Sequence, residues 1–497
     1  MYSSGSLAIK LCFGLTTLSL IAAVGCGYGN GVNLSHPSGN YSNASVIGTY
    51  VYQIEGFSLS SGSPFREVGA FTADGAGHIT AGSDDTNFNS GGLPVSYSGS
   101  YSIGSDGTGS ITFNATVFGP VNLFVTLVNP AKIFLMEGNN PVDGAGVAEL
   151  QDSSAAASTP NGTFVFRLHQ PVSAPSASSS ASDVGAVTIA SGAVSGQMDE
   201  SLGGSSGTFN LTGGSFSAPG ALGRGTATFV DSGPFTTSLI YYTVNSGKIA
   251  LLVSNAGAVG AGSAQAQIGA VGNGLSGKYA FGSSGETGVP DGVGTVGQFT
   301  ATGAGGTGTI AGVEDVMRDG SYSSSVALSS CFSASSNGRV AMSNLSGSTC
   351  SGTTTQVFWM ISPSRAFFLN ESAGAVEDGV ADLQTTNSFS ASTLKGQFAM
   401  VMNGVDSSGE VLARIGPLQF DGSSRLALTE LVNPSNSGVT SPGPLSGNYH
   451  VSANGRVQAS LGNSSLNLVM YAVSGSDAYV LQVDSGTNTA GEVSLQH

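Results

Sequence analysis

Charge is the scarcest property of this chain. Only 9% of its 497 residues are Asp, Glu, Lys or Arg, against about 25% in ordinary soluble domains. Helix surfaces are built largely from Glu, Lys and Arg, so the shortage excludes a helical cytosolic architecture. Basic residues are the scarcer kind, 14 Lys and Arg against 30 Asp and Glu, for a net charge of −16. They are scattered, and no basic patch can be assembled from sequence neighbours. A nucleic-acid partner is therefore excluded, because phosphate binding needs clustered cations. The acidic balance reads as a solubilising surface. Helical periodicity is missing outside the first residues, and tryptophan occurs once,.

Glycine is abundant instead, 75 residues of 497, about twice the usual share of roughly 7%. Apolar residues still make up 40%, enough for several cores, so wholesale disorder is excluded. Low charge with many Gly, Ser and Thr points to an exported β protein rich in tight turns.

Residues 1–25 read as a signal peptide. Lys10 supplies the positive region and residues 11–24 an apolar run too short for a comfortable membrane span,. The run ends Ala22-Ala23-Val24-Gly25-Cys26, which resembles the lipobox of bacterial lipoproteins. The resemblance implies lipidation of Cys26, although Ala23 stands where that motif usually has Leu. A secretory signal cleaved nearby, leaving a secreted or periplasmic protein, is the alternative. Residues 26–45 form a Gly/Asn/Ser tether. Gly27 directly after the cysteine implies, under Gram-negative sorting rules, an outer-membrane or cell-surface location. Anchoring through several acyl chains makes the membrane the first expected partner.

Internal repetition decides the fold. Four units open with Gly, one residue and an aromatic: Gly48 and Tyr50, Gly162 and Phe164, Gly277 and Tyr279, Gly396 and Phe398. Each continues with a β-branched residue plus Gly: Val68-Gly69, Val184-Gly185, Val296-Gly297 and Ile415-Gly416, spaced 116, 112 and 119 residues apart. An acidic position follows, at Asp84-Asp85, Asp199-Glu200, Glu314-Asp315 and Glu430, and each unit closes on a Gln, at 151, 267, 384 and 496. Four landmarks in one order define four domains, residues 46–151, 161–268, 275–384 and 394–497. Short Ser/Thr/Ala/Gly-rich connectors between them suggest beads with limited reach.

Inside the first unit, alternating and apolar stretches at residues 49–54, 68–73, 78–81, 95–103, 110–115, 123–128, 132–137 and 147–151 predict about eight strands. Asp74-Gly75-Ala76-Gly77 and Asp106-Gly107 supply hairpin turns,. Several late strands are apolar on both faces, as strands buried on both sides are. The expected fold is all-β, an antiparallel meander in each unit. Closing each into a small up-and-down barrel removes the edges that a low-charge chain would expose. The Gly-x-aromatic opening is similar to that of lipocalin and avidin-type barrels. A β-sandwich is the alternative. As a whole, the chain resembles the tandem-repeat β-rich envelope lipoproteins common in soil acidobacteria. The likeness rests on the run from Ala70-Phe71-Thr72-Ala73-Asp74 to Ile79 and the acids after it; the third unit keeps Gln298-Phe299-Thr300-Ala301 but has Thr302 for the Asp, and the others diverge further. The resemblance implies a cell-envelope location and supplies no activity.

Candidate chemistry is sparse. Cys331 and Cys350, 19 residues apart in an oxidising compartment, predict a disulfide worth roughly 3 kcal/mol,. The histidines, His36, His78, His169, His450 and His497, show no zinc-ligand spacing,. No Gly-x-Ser-x-Gly elbow stands between a strand and a helix. The paired acids recur, but neighbours on a strand point to opposite faces, so each pair offers one carboxylate inward and one outward. That geometry does not suit a two-carboxylate glycosidase. Asp84, Asp85, Asp199, Glu200, Glu314 and Asp315 are candidate Ca²⁺ ligands; a solvated strand end is the simpler reading. Trp359 reads as core. No cofactor is called for. The sequence thus predicts a lipid-anchored envelope protein with a structural or multivalent binding or adhesion role toward an unidentified envelope or extracellular ligand, and no enzymatic activity. Binding of a small hydrophobic ligand inside each barrel is the alternative, with a secreted hydrolase behind it.

Overall fold

The structure, a computed structural model, describes residues 40–497 apart from 59–62, 89–91, 116–118, 139–141, 172–179, 234, 288–291, 347–348, 373, 407–410 and 435–437. The signal peptide, Cys26 and most of the tether lie outside the described residues.

The first unit folds as eight strands: β1 (Ile47–Ser58), β2 (Pro64–Asp74), β3 (His78–Asn87), β4 (Leu93–Ile103), β5 (Thr108–Ala115), β6 (Gly119–Asn129), β7 (Lys132–Glu137) and β8 (Val142–Leu150). Each pairs antiparallel with its sequence neighbour, and β1 pairs with both β2 and β8, so the meander closes. Closure leaves no edge, which the sandwich alternative would have done. The other units repeat the barrel, from Gly162–Gln170 to Ala261–Ala266, from Gly277–Glu286 to Val376–Leu383, and from Lys395–Val405 to Asn488–Leu495. In the last, the counterpart of β3 is split into Arg425–Leu428 and Leu431–Pro434.

Each barrel is filled by its own core. In the first, Tyr50, Tyr52, Phe71, Phe113, Leu127 and Leu135 are all buried, each worth about 1.5–3 kcal/mol of transfer free energy. Tyr50 stacks on Phe71 at 5.4 Å between centroids, and Tyr279 on Phe299 at 5.3 Å in the third barrel. The sequence landmarks now have causes. Gly48, Gly162, Gly277 and Gly396 have φ between 103° and 129°, a backbone that disfavours any side chain. Gly69 and Gly297 lie beneath the rings of Tyr52 and Phe281, where an added Cβ would come within 2.8 and 2.4 Å of ring carbons.

The barrels do not hang as beads; they form a closed ring. The outward faces of β1 and β2 (Val51, Val68, Ala70) pack on the second barrel's Ile240, Tyr242, Val244 and Leu252. The same faces of the second barrel (Val165, Val184, Ala186) meet Val357, Trp359 and Phe367 of the third. Ala280 and Val296 of the third meet Val469, Tyr471 and Leu481 of the fourth. Ala399, Val401 and Ile415 of the fourth then meet Val128, Phe134 and Met136 of the first. The front of one barrel always packs on the back of the next. A front-to-back interface that closes generates a ring. This is why the late strands are apolar on both faces, one face lining the barrel and the other a seam.

The bead expectation failed because connectors that short also suit tight packing, and because the apolar outer faces need cover. The connectors are ordered accordingly. Asp152 caps the short helix Ser153–Ala156 by accepting from Ser154 and Ala155 amides, and Phe389 is buried in the fourth core. The end of the expected tether is docked as well: Asn43 Oδ1 accepts from the Ile103 amide at 2.8 Å, and Tyr41 Oη donates to Val128 O at 3.0 Å.

Candidate functional site: the ring seams and the central cavity

The recurring acids divide as strand geometry requires, one inward and one outward. Neither half is a solvated strand end. Asp85, Asp199 and Asp315 point out of their barrels and are 0% exposed. Asp85 accepts from Arg224 Nε and Nη2 of the next barrel, both at 2.7 Å, and from Tyr242 Oη at 2.8 Å. Asp199 accepts from Arg339 Nη2 at 2.6 Å and Nε at 2.8 Å, and from Trp359 Nε1 at 2.7 Å. Asp315 accepts from Arg456 Nε and Nη2, both at 2.7 Å, and from Tyr471 Oη at 2.7 Å. Burial opposes its ionisation, but these donors and Tyr322 hold the Asp315 carboxyl below its ordinary range. The carboxylate oxygens proposed for Ca²⁺ are therefore occupied by a guanidinium fork and an aromatic donor in three successive seams. No group of three metal-ligating side chains stands together among the described residues.

The inward acids face the barrel interior. Asp84 meets Glu67, and burial followed by repulsion from Glu67 pushes its carboxyl up to about 9. Tyr52 donates to Glu67 at 2.8 Å. Burial likewise raises Glu200, and raises Glu314, with Glu377 nearby, to about 7. Glu430 takes a hydrogen bond from Arg414 at 2.8 Å.

The closing glutamines are seam clamps. Gln151 Nε2 donates to Leu222 O and Thr243 O of the next barrel, Gln267 to Asn337 O and Met360 O, and Gln384 to Asn454 O and Ala472 O. Gln496 donates to Asp106 O and Leu127 O, back in the first barrel. Sequence reading found Asp85, Asp199, Asp315, the glutamines and Trp359, but not the arginines. Arg224, Arg339 and Arg456 stand 139, 140 and 141 residues after their aspartates; that nearly constant offset was the available signal.

Cys331 and Cys350 form the expected disulfide. His78 lies at an exposed turn with Nδ1 2.8 Å from Asp74 Oδ2. His169, Asp378 and Ser182 meet at the second seam, but not as a nucleophile and base. His169 Nδ1 lies 2.8 Å from Asp378 Oδ2, and the Ser182 hydroxyl donates to the same carboxylate. The other imidazole nitrogen faces Glu286 Oε1 at 3.8 Å. Burial works against the imidazolium, yet Asp378 and Glu286 together raise His169 to about 10, so it is a fixed cation rather than a base. Arg167 completes that cluster, 3.1 Å from Asp378.

The interior of the third barrel leaves little room. A cavity of about 10 Å³, lined by Phe281, Phe299, Leu328, Met342 and Phe358 among others, sits in the third, space for one water at most. An apolar ligand has no place there. The large cavity lies between the barrels: about 760 Å³, lined by the first, seventh and eighth strands of all four. Most of its charges are paired. Lys132 reaches Glu492 of the fourth barrel at 3.0 Å, Lys248 bonds Glu149 of the first, and Arg365 lies 3.0 Å from Asp382, which also accepts from Tyr479 at 2.6 Å. Gln53, Gln265, Asn403, Ser263 and Ser283 add neutral donors and acceptors. The arrangement offers hydrogen bonds of both senses with little net charge.

No family model matches the chain, and no curated protein matches it. Among solved structures it is similar to transferrin binding protein B from serogroup B Neisseria meningitidis, at 9% identity and a TM-score of 0.20, covering 73% of this chain and 83% of that one. A mutant of transferrin binding protein B from Haemophilus parasuis Hp5 gives 7% identity and a TM-score of 0.18, over 74% and 84%. Similarity at that level carries no argument about this chain; the four-barrel ring stands on its own geometry.

Proposed function

We propose that this is an exported, lipid-anchored envelope protein whose folded part is a rigid ring that binds a neutral polar ligand in its central cavity, without catalysis. The observation that carries the binding role is the cavity itself. It is of ligand size, all four barrels contribute to it, and most of its charges stand in ion pairs. An ionic ligand would have to compete with those pairs, whereas hydroxyl and amide groups could use Gln53, Gln265 and Ser263 without doing so. The scaffold role follows from the same ring, since seams that consume the outward residues of every repeat hold the barrels as one body. The leader ending in Cys26 supports the anchor.

The test of the cavity is native mass spectrometry of the ring purified from a bacterial envelope and then incubated with neutral oligosaccharides and with uncharged peptides. A retained mass that is lost in Val147→Trp, which puts a bulky ring on the cavity wall, is the expected result. Equal retention by both proteins, or none by either, overturns it. The anchor is tested separately, by acyl labelling and membrane fractionation of the parent and Cys26→Ala. No label on the parent and unchanged fractionation of the variant would sink it.

A further inference from the structure

The four seams are built on one plan, and the seam between the fourth and first barrels departs from it three times over. The first difference is covalent. Connectors 151–162, 267–277 and 384–395 cross the other seams, whereas no connector among the described residues crosses the fourth, which is held by non-covalent contacts alone: its apolar face, Asn403 Nδ2 to Glu55 O at 2.8 Å, and near the described ends Tyr41 Oη to His497 O at 3.2 Å and the His497 amide to Val128 O at 3.1 Å.

The second is the missing lock. Strand registers place Leu431 opposite Ile415 as Asp85, Asp199 and Asp315 stand opposite Val68, Val184 and Val296. They place Thr108 opposite Thr126 as Arg224, Arg339 and Arg456 stand opposite Tyr242, Trp359 and Tyr471. All three members of the lock are therefore replaced together at this seam, and only there. Any one of them alone would leave a buried charge without its partner.

The third is Asp143 on β8. Its counterparts in the second, third and fourth barrels are Val259, Val376 and Asn488, all buried and none ionisable. Asp143 is equally buried, and although the Gly144 amide lies near, neither of its carboxylate oxygens reaches hydrogen-bond geometry. Asn433 of the fourth barrel stands beside it but donates to Glu137 O at 2.9 Å, and its own Oδ1 is unpartnered too. The charged groups on the elements packed around Asp143 are Glu55 on β1, Lys132 and Glu137 on β7, Glu149 on β8 itself, and Lys395, Arg414 and Asp421 on the fourth barrel's first two strands, with Arg66 on β2 and Asp406 beside them. Arg66 is engaged with Glu55 and Arg414 with Glu430.

We propose that the fourth seam is a pH-dependent gate in the ring: ionisation of Asp143 opens it while the other three seams stay shut. A neutral carboxyl is tolerated in the seam, whereas a carboxylate left without partners in an apolar interface is not. Burial raises the Asp143 carboxyl to about 8, which puts the transition at mildly alkaline pH.

The experiment reads two equivalent distances in the full chain carrying Cys26→Ala, with no ligand present, so that it tests the gate apart from binding. Spin labels at positions 110 and 446 span the fourth seam, and labels at 226 and 98 occupy the corresponding exposed positions across the first. Raising the pH from 6 to 9.5 should lengthen and broaden the 110–446 distance and leave the 98–226 distance unchanged. Asp143→Val should abolish the change, as should installing the lock with Leu431→Asp, Thr108→Arg and Thr126→Tyr; Asp143→Asn serves if the valine variant does not fold. Two distances that move together, two that stay fixed, or a shift that survives the loss of Asp143 would overturn the gate.

Discussion

At the scale of single residues, buried charge does two opposite jobs in this protein. In the three locked seams it is matched. Arg339 gives Asp199 a forked pair at 2.6 and 2.8 Å, with the Trp359 indole on the same carboxylate. Removing one partner of such a pair strands the other, so Arg339→Ala should cost about 3–5 kcal/mol in denaturant unfolding. The double variant Asp199→Leu with Arg339→Leu should recover most of it, because the fourth seam shows that Leu431 can occupy the aspartate's place. If the double variant is no better than the single, the pair is not the source of the loss. Inside the first barrel the charge is unmatched instead, with Asp84 and Glu67 side by side and Asp84 raised to about 9. Here the folded state keeps a proton that the unfolded chain gives up near pH 4, so the unfolded chain binds fewer protons between those values. Stability should therefore be fullest at acid pH, fall as pH rises, and level off above about 9. Glu67→Gln should flatten that slope in thermal unfolding followed from pH 5 to 9; an unchanged slope would mean that the pair does not share a proton.

At the scale of elements, most of the barrel was legible in sequence because its causes are local. Glycine at an opening position with φ above 100°, an aromatic two residues on, and Gly-containing turns all act within a few residues of themselves, and the opening glycine and aromatic recur in all four repeats. Val68-Gly69 was visible as a pattern but not as a mechanism: the valine faces a seam, and the glycine makes room for a ring on the neighbouring strand. Gly297 sits 2.4 Å, at an added Cβ, from the Phe281 ring, with the Val313 carbonyl at 2.9 Å behind it. A side chain there must displace either a core aromatic or a ladder partner. Gly297→Val should thus destabilise by about 1–3 kcal/mol, the usual cost of overpacking. Phe281→Ala in the same background should cost less than it does alone, because the valine then fills part of the vacated space. Additive losses would show that the two do not share that volume. The outward faces were not legible for a different reason. Their partners are on another barrel, from 139 residues away at one seam to 390 at another, and nothing local distinguishes an apolar strand face that meets a seam from one that meets a core.

At the scale of the whole molecule, ring closure makes the position of the chain ends incidental to the fold, apart from the seam they leave uncrossed. Tyr41 and His497 touch, at 3.2 Å from hydroxyl to carbonyl, and Gln496 clamps the first barrel as Gln151 clamps the second. The barrels are thus ordered by seam chemistry as well as by connectivity. A barrel with an outward aspartate needs an arginine face beside it, and the leucine-bearing fourth barrel suits only the threonine face of the first. A circular permutant that joins residue 497 to residue 40 through a short linker and begins within connector 268–276 keeps every one of these pairings. It should fold to the same monomeric ring, with Tm lowered by no more than about 4 °C, the equivalent of roughly 1 kcal/mol in a domain of this kind. The connector it loses crosses a seam that Asp199 and Arg339 still lock. In the same permutant with Arg339→Ala, that seam has neither a covalent crossing nor a lock, and light scattering should then show association through its exposed apolar faces. If the permutant with the intact lock already associates, connectivity rather than seam chemistry holds the ring together. If the permutant with Arg339→Ala stays monomeric and as stable as its parent, apolar contact alone is sufficient and the guanidinium locks serve only to set the order of the barrels.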